Sequence, residues 1–290
     1  MDCRRAIFAA VGILLLLACA TTPTKTTGRV RVVTTLGILA DWAQQVGGER
    51  VEVTSLLTGN ESPHTYEAKP QDAALIARAD ILFRVGLGLE DWLDPVIENA
   101  GNKKLVIVDM ATGVTDVLQG DEHDRVGNPH IWLDPELAKT GIDNLVRVLV
   151  KADPRGESLY RKHEAAYFVR LDSLSQVIQS EVATLQDKRF ISFHDAWPYF
   201  CRRFGLQVLA TVEPIPGQEP SAKQLARMVD LIRQEHIKVV STEPQMPSAL
   251  PDMLAKETGV KVVSLNPLES EGGYIASLGA SAKALFDALR

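Results

Sequence analysis

Residues 154–186, PRGESLYRKHEAAYFVRLDSLSQVIQSEVATLQ, contain neither Gly nor Pro after Gly156. Within them Tyr160, Glu164, Tyr167, Leu171, Leu174, Ile178, Val182 and Leu185 recur at intervals of three and four, the period of one face of an α-helix. The spacing predicts one rod over residues 154–187, about 45–50 Å long at a rise of 1.5 Å per residue. Two helices with a break are the alternative. A rod of that length can run along two domains, and 290 residues are about two domains' worth of chain.

What flanks the rod is alike on both sides. In residues 29–153, Val30–Thr35, Val51–Leu57, Asp80–Val85 and Lys104–Asp109 read as strands. Between them Leu39–Val46, Gln71–Arg78 and Leu89–Asn99 have helical spacing, and a further helix opens at Asp134-Pro135, with Asp as cap and Pro in the first turn. In residues 188–290 the strands are Phe190–Phe193, Gln207–Thr211, Val239–Thr242 and Val260–Leu265. Their helices are Ser221–Gln234, Pro251–Glu257 and Ile275–Leu289. Short apolar runs alternating with helical segments predict βαβ units and parallel sheets. The expected fold is therefore α/β: two parallel-sheet lobes on one long backbone helix, with a cleft between them.

The N-terminus is a separate object. Arg4 and Arg5 precede an apolar run, Ile7–Leu17, that is too short to span a hydrocarbon core, so residues 1–18 read as a secretory signal. The signal ends Leu16-Leu17-Ala18-Cys19, which resembles a bacterial lipobox and makes Cys19 the expected lipidation site. Residues 19–28 are then anchor and polar tether. No other stretch is long and apolar enough to cross a bilayer. The expectation is an extracytoplasmic, membrane-anchored lipoprotein, in the periplasm or on the cell surface. Cys3 leaves with the signal and Cys19 carries lipid, so Cys201 has no partner and reads as a buried small hydrophobe. A net charge of −6 without a dense basic run argues against nucleic acid as a partner.

Six histidines remain to be weighed. His64 (ESPHTYE), His130 (GNPHIWLDP) and His194 (ISFHDAWPYF) share a setting, in loops beside Pro or an aromatic residue. Imidazole is the commonest protein ligand for late first-row metals. In open α/β sheets, ligands bind at the carboxyl ends of strands, where His194 stands. If these three converge they do so by tertiary folding, and they place a metal in the cleft. The other three are poorer candidates: His163 lies in the middle of the rod, His236 is expected in the last turn of a helix, and His123 sits in an acidic loop.

GLGLEDWLD (Gly86–Asp94), NPHIWLDPELA (Asn128–Ala138), FHDAWPYFCRRFGL (Phe193–Leu206), EPSAKQL (Glu219–Leu225) and TEPQ (Thr242–Gln245) together resemble the signature segments of the zinc/manganese solute-binding lipoproteins of bacterial ABC importers. The similarity runs in order from about Val30 to Leu289. It implies a fold of two α/β lobes on a backbone helix. It also implies metal ligands at His64, His130 and His194, a permease in the cytoplasmic membrane as partner, a monomeric state and no catalysis. Manganese importers in this family often carry Glu at the third position. The His here favours Zn²⁺, with Mn²⁺ or Fe²⁺ as competitors. At the fourth position the family's usual Asp is replaced by Asn266, which brings no charge, so Glu243, Glu269 or Glu271, or a bound water, would have to compensate. Two further readings follow from the residues: a zinc hydrolase, with Asp195 or Glu243 as base, and a metal-binding adhesin.

Overall fold

The computed structural model describes residues 28–120, 126–213, 217–246, 249–268 and 272–290. The signal, Cys19, most of the tether, His123, Glu269 and Glu271 lie outside the described residues.

The first lobe runs β1 (Val30–Thr34), α1 (Gly37–Gly47), β2 (Val51–Ser55), α2 (Pro70–Ile76), β3 (Ile81–Arg84), α3 (Leu93–Ala100), β4 (Val106–Asp109) and α4 (Pro135–Ala152). After the connecting helix α5 (Glu157–Ala183), the second lobe runs β5 (Arg189–Ser192), α6 (Pro198–Phe204), β6 (Gln207–Thr211), α7 (Ala222–Gln234), β7 (Val239–Thr242), α8 (Ala249–Thr258), β8 (Lys261–Ser264) and α9 (Gly273–Leu289). The sheets are ordered β2-β1-β3-β4 and β6-β5-β7-β8, the same winding twice. Every strand pair is parallel. In each sheet the order reverses at the first strand, between β1 and β3 and between β5 and β7. Such a switch point opens a crevice at the carboxyl ends of the strands.

The rod forms as its periodicity predicts, without a break. Tyr160, Glu164, Tyr167, Leu171, Ile178 and Val182 are its buried face. Its start is trimmed, because Pro154–Gly156 make a separate 3₁₀ turn. The remaining 27 residues span about 40 Å. They pack on α1 and α4 from the first lobe and on α6 and α9 from the second. As a result one continuous core holds Trp42, Phe83 and Trp132 of the first lobe, Tyr160 and Leu171 of the rod, and Phe190, Trp197 and Phe286 of the second lobe. A smaller cluster, with Ile191, Phe193, Val240 and Leu254, fills the other side of the second sheet.

Two local expectations change. The helix read from Leu89 begins only at Leu93. The buried Glu90 carboxylate accepts hydrogen bonds from Thr35 Oγ1 (2.7 Å) and from the backbone N–H groups of Val85 (2.8 Å) and Gly86 (3.0 Å). That wraps residues 86–92 into a loop with Leu87 at φ 56°, and backbone groups bound in this way cannot continue a helix. Glu90→Gln presents an amide N–H to at least one of these donors. A loss of about 1–3 kcal/mol is expected from the shift of the urea midpoint. His236 falls past the end of α7 rather than in its last turn. It sits at φ 52°, where the Ile237 N–H bonds back to the Ile232 carbonyl (3.0 Å) and closes a Schellman turn.

Candidate metal centre

The loop after β2 carries His64, and Trp92 Nε1 holds it by donating to the Pro63 carbonyl (3.1 Å). His130 precedes the 3₁₀ turn Ile131–Leu133, which leads through the buried cap Asp134 into α4. Asp134 Oδ1 accepts the Glu136 N–H (2.9 Å), so the helix start fixes the loop that bears the imidazole. His194 lies just past the end of β5 and Glu243 just past the end of β7, on the two sides of the switch point in the second sheet.

The three sequence-predicted histidines meet. His130 Nε2 is 3.1 Å from His64 Nε2 and 3.1 Å from His194 Nε2. One nitrogen from each ring lies within 4.8 Å of the others. For a tetrahedral ion with N ligands at about 2.0–2.1 Å, neighbouring nitrogens stand about 3.3 Å apart. The observed spacing is close to that of a ligand set.

On two of the rings the remaining nitrogen faces a protein acceptor. His130 Nδ1 is 3.0 Å from Asn128 Oδ1. The amide orientation of Asn128 follows from its partners: Nδ2 donates to the Asp195 carbonyl (2.7 Å) and to Asp195 Oδ2 (3.0 Å), and Oδ1 also accepts the His130 N–H (3.0 Å). Nδ1 of His130 therefore carries the proton, and Nε2 presents its lone pair. His194 Nδ1 is 2.6 Å from Glu243 Oε1, with both side chains almost fully buried. A carboxylate behind an imidazole orients the ring and raises its basicity. Glu243 thus acts on the cluster through His194, at the opposite end of the ring from the shared focus. Asn128 was not singled out from the sequence; its only signal is the place two residues before His130 in GNPHIW.

Burial, reinforced by the other imidazoles, pushes His64 down to about 3 and His130 well below the usual histidine range. At His194 burial pulls the same way, but the Glu243 carboxylate, with Asp195 and Glu213, outweighs it and holds the ring above that range. Two of the three rings are neutral and ready to ligate at any ordinary pH.

Asn266 stands differently from the fourth-ligand expectation. Its Oδ1 accepts the Leu268 N–H (3.0 Å) and Gln245 Nε2 (3.0 Å). Gln245 Nε2 also donates across the cleft to the Gly59 carbonyl (2.7 Å). The same face of the cleft is tied by Trp132 Nε1 donating to the Pro267 carbonyl (2.7 Å) and Tyr274 Oη donating to the Trp132 carbonyl (2.5 Å). Tyr199 Oη donating to the Asn128 carbonyl (2.8 Å) and the Arg203–Asp134 ion pair (2.8 Å) add further ties between the lobes.

Two doubly wound lobes fixed on a common helix, with three imidazole nitrogens focused between them, define a metal-binding receptor of the solute-capture type. Residues 32–288 match the family model of the periplasmic zinc-uptake complex component A, and the chain belongs to that family. It is similar to the high-affinity zinc uptake system protein ZnuA of Bacillus subtilis, at 28% identity covering 95% of this chain and 94% of that one. It is also similar to the manganese-binding lipoprotein MntA of Halalkalibacterium halodurans, at 28% identity covering 80% of this chain and 77% of that one. A crystal structure of ZnuA superposes with a TM-score of 0.84 at 30% identity, covering 90% of this chain and all of that one. The chain is the metal-binding component of a metal ABC importer and not an enzyme.

Proposed function

We propose that the chain captures Zn²⁺ through Nε2 of His64, His130 and His194 and delivers it to a permease in the cytoplasmic membrane, acting as a monomer anchored by lipid at Cys19. The observation that carries this reading is the convergence of three Nε2 atoms, two of them on rings whose Nδ1 faces a protein acceptor. Zinc is favoured over manganese by the donor set. The focus is formed by imidazoles, which suit zinc, and Glu243, the one carboxylate side chain among the described residues that line the pocket, is occupied with His194 Nδ1. Isothermal titration of the mature chain tests this: one equivalent of Zn²⁺ should bind at least tenfold tighter than Mn²⁺. Equal affinities, or no saturable binding, would refute it.

The charge arrangement predicts a pH profile. A group held above its usual pKa keeps its proton to higher pH, and the incoming ion must displace it. Affinity should therefore decline as pH falls through the raised value of His194, with His64 and His130 contributing no proton competition there. Glu243→Gln leaves an acceptor for Nδ1 and removes the charge. The decline should move to lower pH, and affinity at pH 7.5 should fall about 10-fold to 100-fold. Zinc titrations between about pH 5 and about pH 9 check both statements. An unshifted profile in the variant would remove Glu243 from the account.

A further inference from the structure

Apart from the His194–Glu243 ion pair, two polar atoms on residues lining the pocket have no partner among the described residues. Ser62 Oγ and Gln245 Oε1 are both buried and unpaired among the described residues, and both residues line the pocket together with His64, His130 and His194. Buried polar atoms are rarely left so, and each such case in a native fold asks for a ligand or an ordered water.

The Gln245 amide cannot turn to relieve this. Its nitrogen faces two acceptors, the Gly59 carbonyl and Asn266 Oδ1, and Asn266 Oδ1 is itself fixed by the Leu268 N–H. A reversed amide would set oxygen against oxygen at both contacts. Gln245 Oε1 is thus left as an unpaired acceptor on a residue that lines the pocket. Ser62 Oγ, one loop residue from Pro63 and two from His64, can accept as well.

Space sets the size of what they hold. An ion at about 2.0–2.1 Å from nitrogens 3.1 Å apart sits within their triangle, nearer than a water-sized body could approach. The pocket adds a cavity of about 10 Å³ beside the triad, close to the room one water needs. A water bound to a cation has two protons made more acidic by the ion, and two unpaired acceptors belong to residues that line that space.

We infer that Gln245 and Ser62 cradle a single water that serves as the fourth ligand of the captured ion, and that Asn266 acts as the prop of Gln245 rather than as a ligand. This rests on the three-histidine reading above. It also gives the Asn a purpose: its neutral oxygen receives the Gln245 nitrogen and so turns Gln245 Oε1 toward the cleft.

The test uses the full mature chain loaded with Co²⁺, whose visible bands report the ligands, and azide, which displaces a coordinated water. The wild-type bands should shift on addition of azide. Ser62→Ala removes an oxygen that makes no bond within the protein, so the fold should be untouched while Zn²⁺ affinity falls about tenfold. Gln245→Met should lower it at least as much. Azide-insensitive bands, as a carboxylate in the fourth position would produce, overturn the inference and leave the zinc reading intact. Unchanged zinc affinity in both variants also overturns it. If the wild-type chain takes up no zinc, both readings fall together.

Discussion

His130→Ala is expected to abolish useful zinc binding. His130 Nε2 is the nitrogen that lies 3.1 Å from both of its fellows, so its removal leaves two imidazoles without the ring that links them. Structural zinc sites bind with about 10–16 kcal/mol shared among four ligands, or about 2.5–4 kcal/mol each. That predicts a loss of about a hundredfold to a thousandfold. The measurement is a melting curve with and without zinc. At a free concentration of about 100 times the wild-type Kd, the wild-type should gain about 2.7 kcal/mol, and the variant should gain less than about 0.5 kcal/mol. A variant still stabilised by zinc to the wild-type extent would show that the ion sits elsewhere.

The second large effect concerns stability. Trp132 is fully buried in the shared core, stacks near the His130 ring at 5.0 Å between centroids, and donates to Pro267 across the cleft. Trp132→Ala should cost about 3–5 kcal/mol through the cavity it leaves. Trp132→Phe, which retains most of the apolar ring and loses the Nε1 donor, should cost about 1–3 kcal/mol. Urea unfolding reads both values. Because a single core spans the rod and parts of both lobes, the transition should remain one step in each variant. Two separated transitions would contradict the shared core.

The architecture was readable because it depends on period. The face Tyr160, Glu164, Tyr167, Leu171, Ile178, Val182 is buried as its spacing implied, and the alternating apolar runs became two parallel sheets. The edges were harder to read wherever a side chain overrides local preference. Glu90 turns the first four residues read as helix, 89–92, into a loop by accepting the backbone's own donors, and His236 closes a helix in a conformation that no spacing announces. The three imidazoles were legible because histidine is scarce in this chain and its chemistry is narrow. Their supports were not. Asn128 and Gln245 are ordinary polar residues whose roles follow from what stands opposite them, and those contacts join positions as far apart as Gly59 and Gln245. Asn266 shows the converse: a position matched to a ligand by pattern turns out to have its oxygen already engaged by Leu268 and Gln245.

One consequence follows from where the rings sit along the chain. His64 and His130 come before α5, and His194 and Glu243 come after it. A nascent polypeptide therefore has no complete trio of imidazoles until its last third has emerged and docked. Loading must be a late event in the molecule's life. A chain that ends before His194 therefore cannot hold the ion through all three rings, and metal binding has to follow the docking of the second lobe on α5.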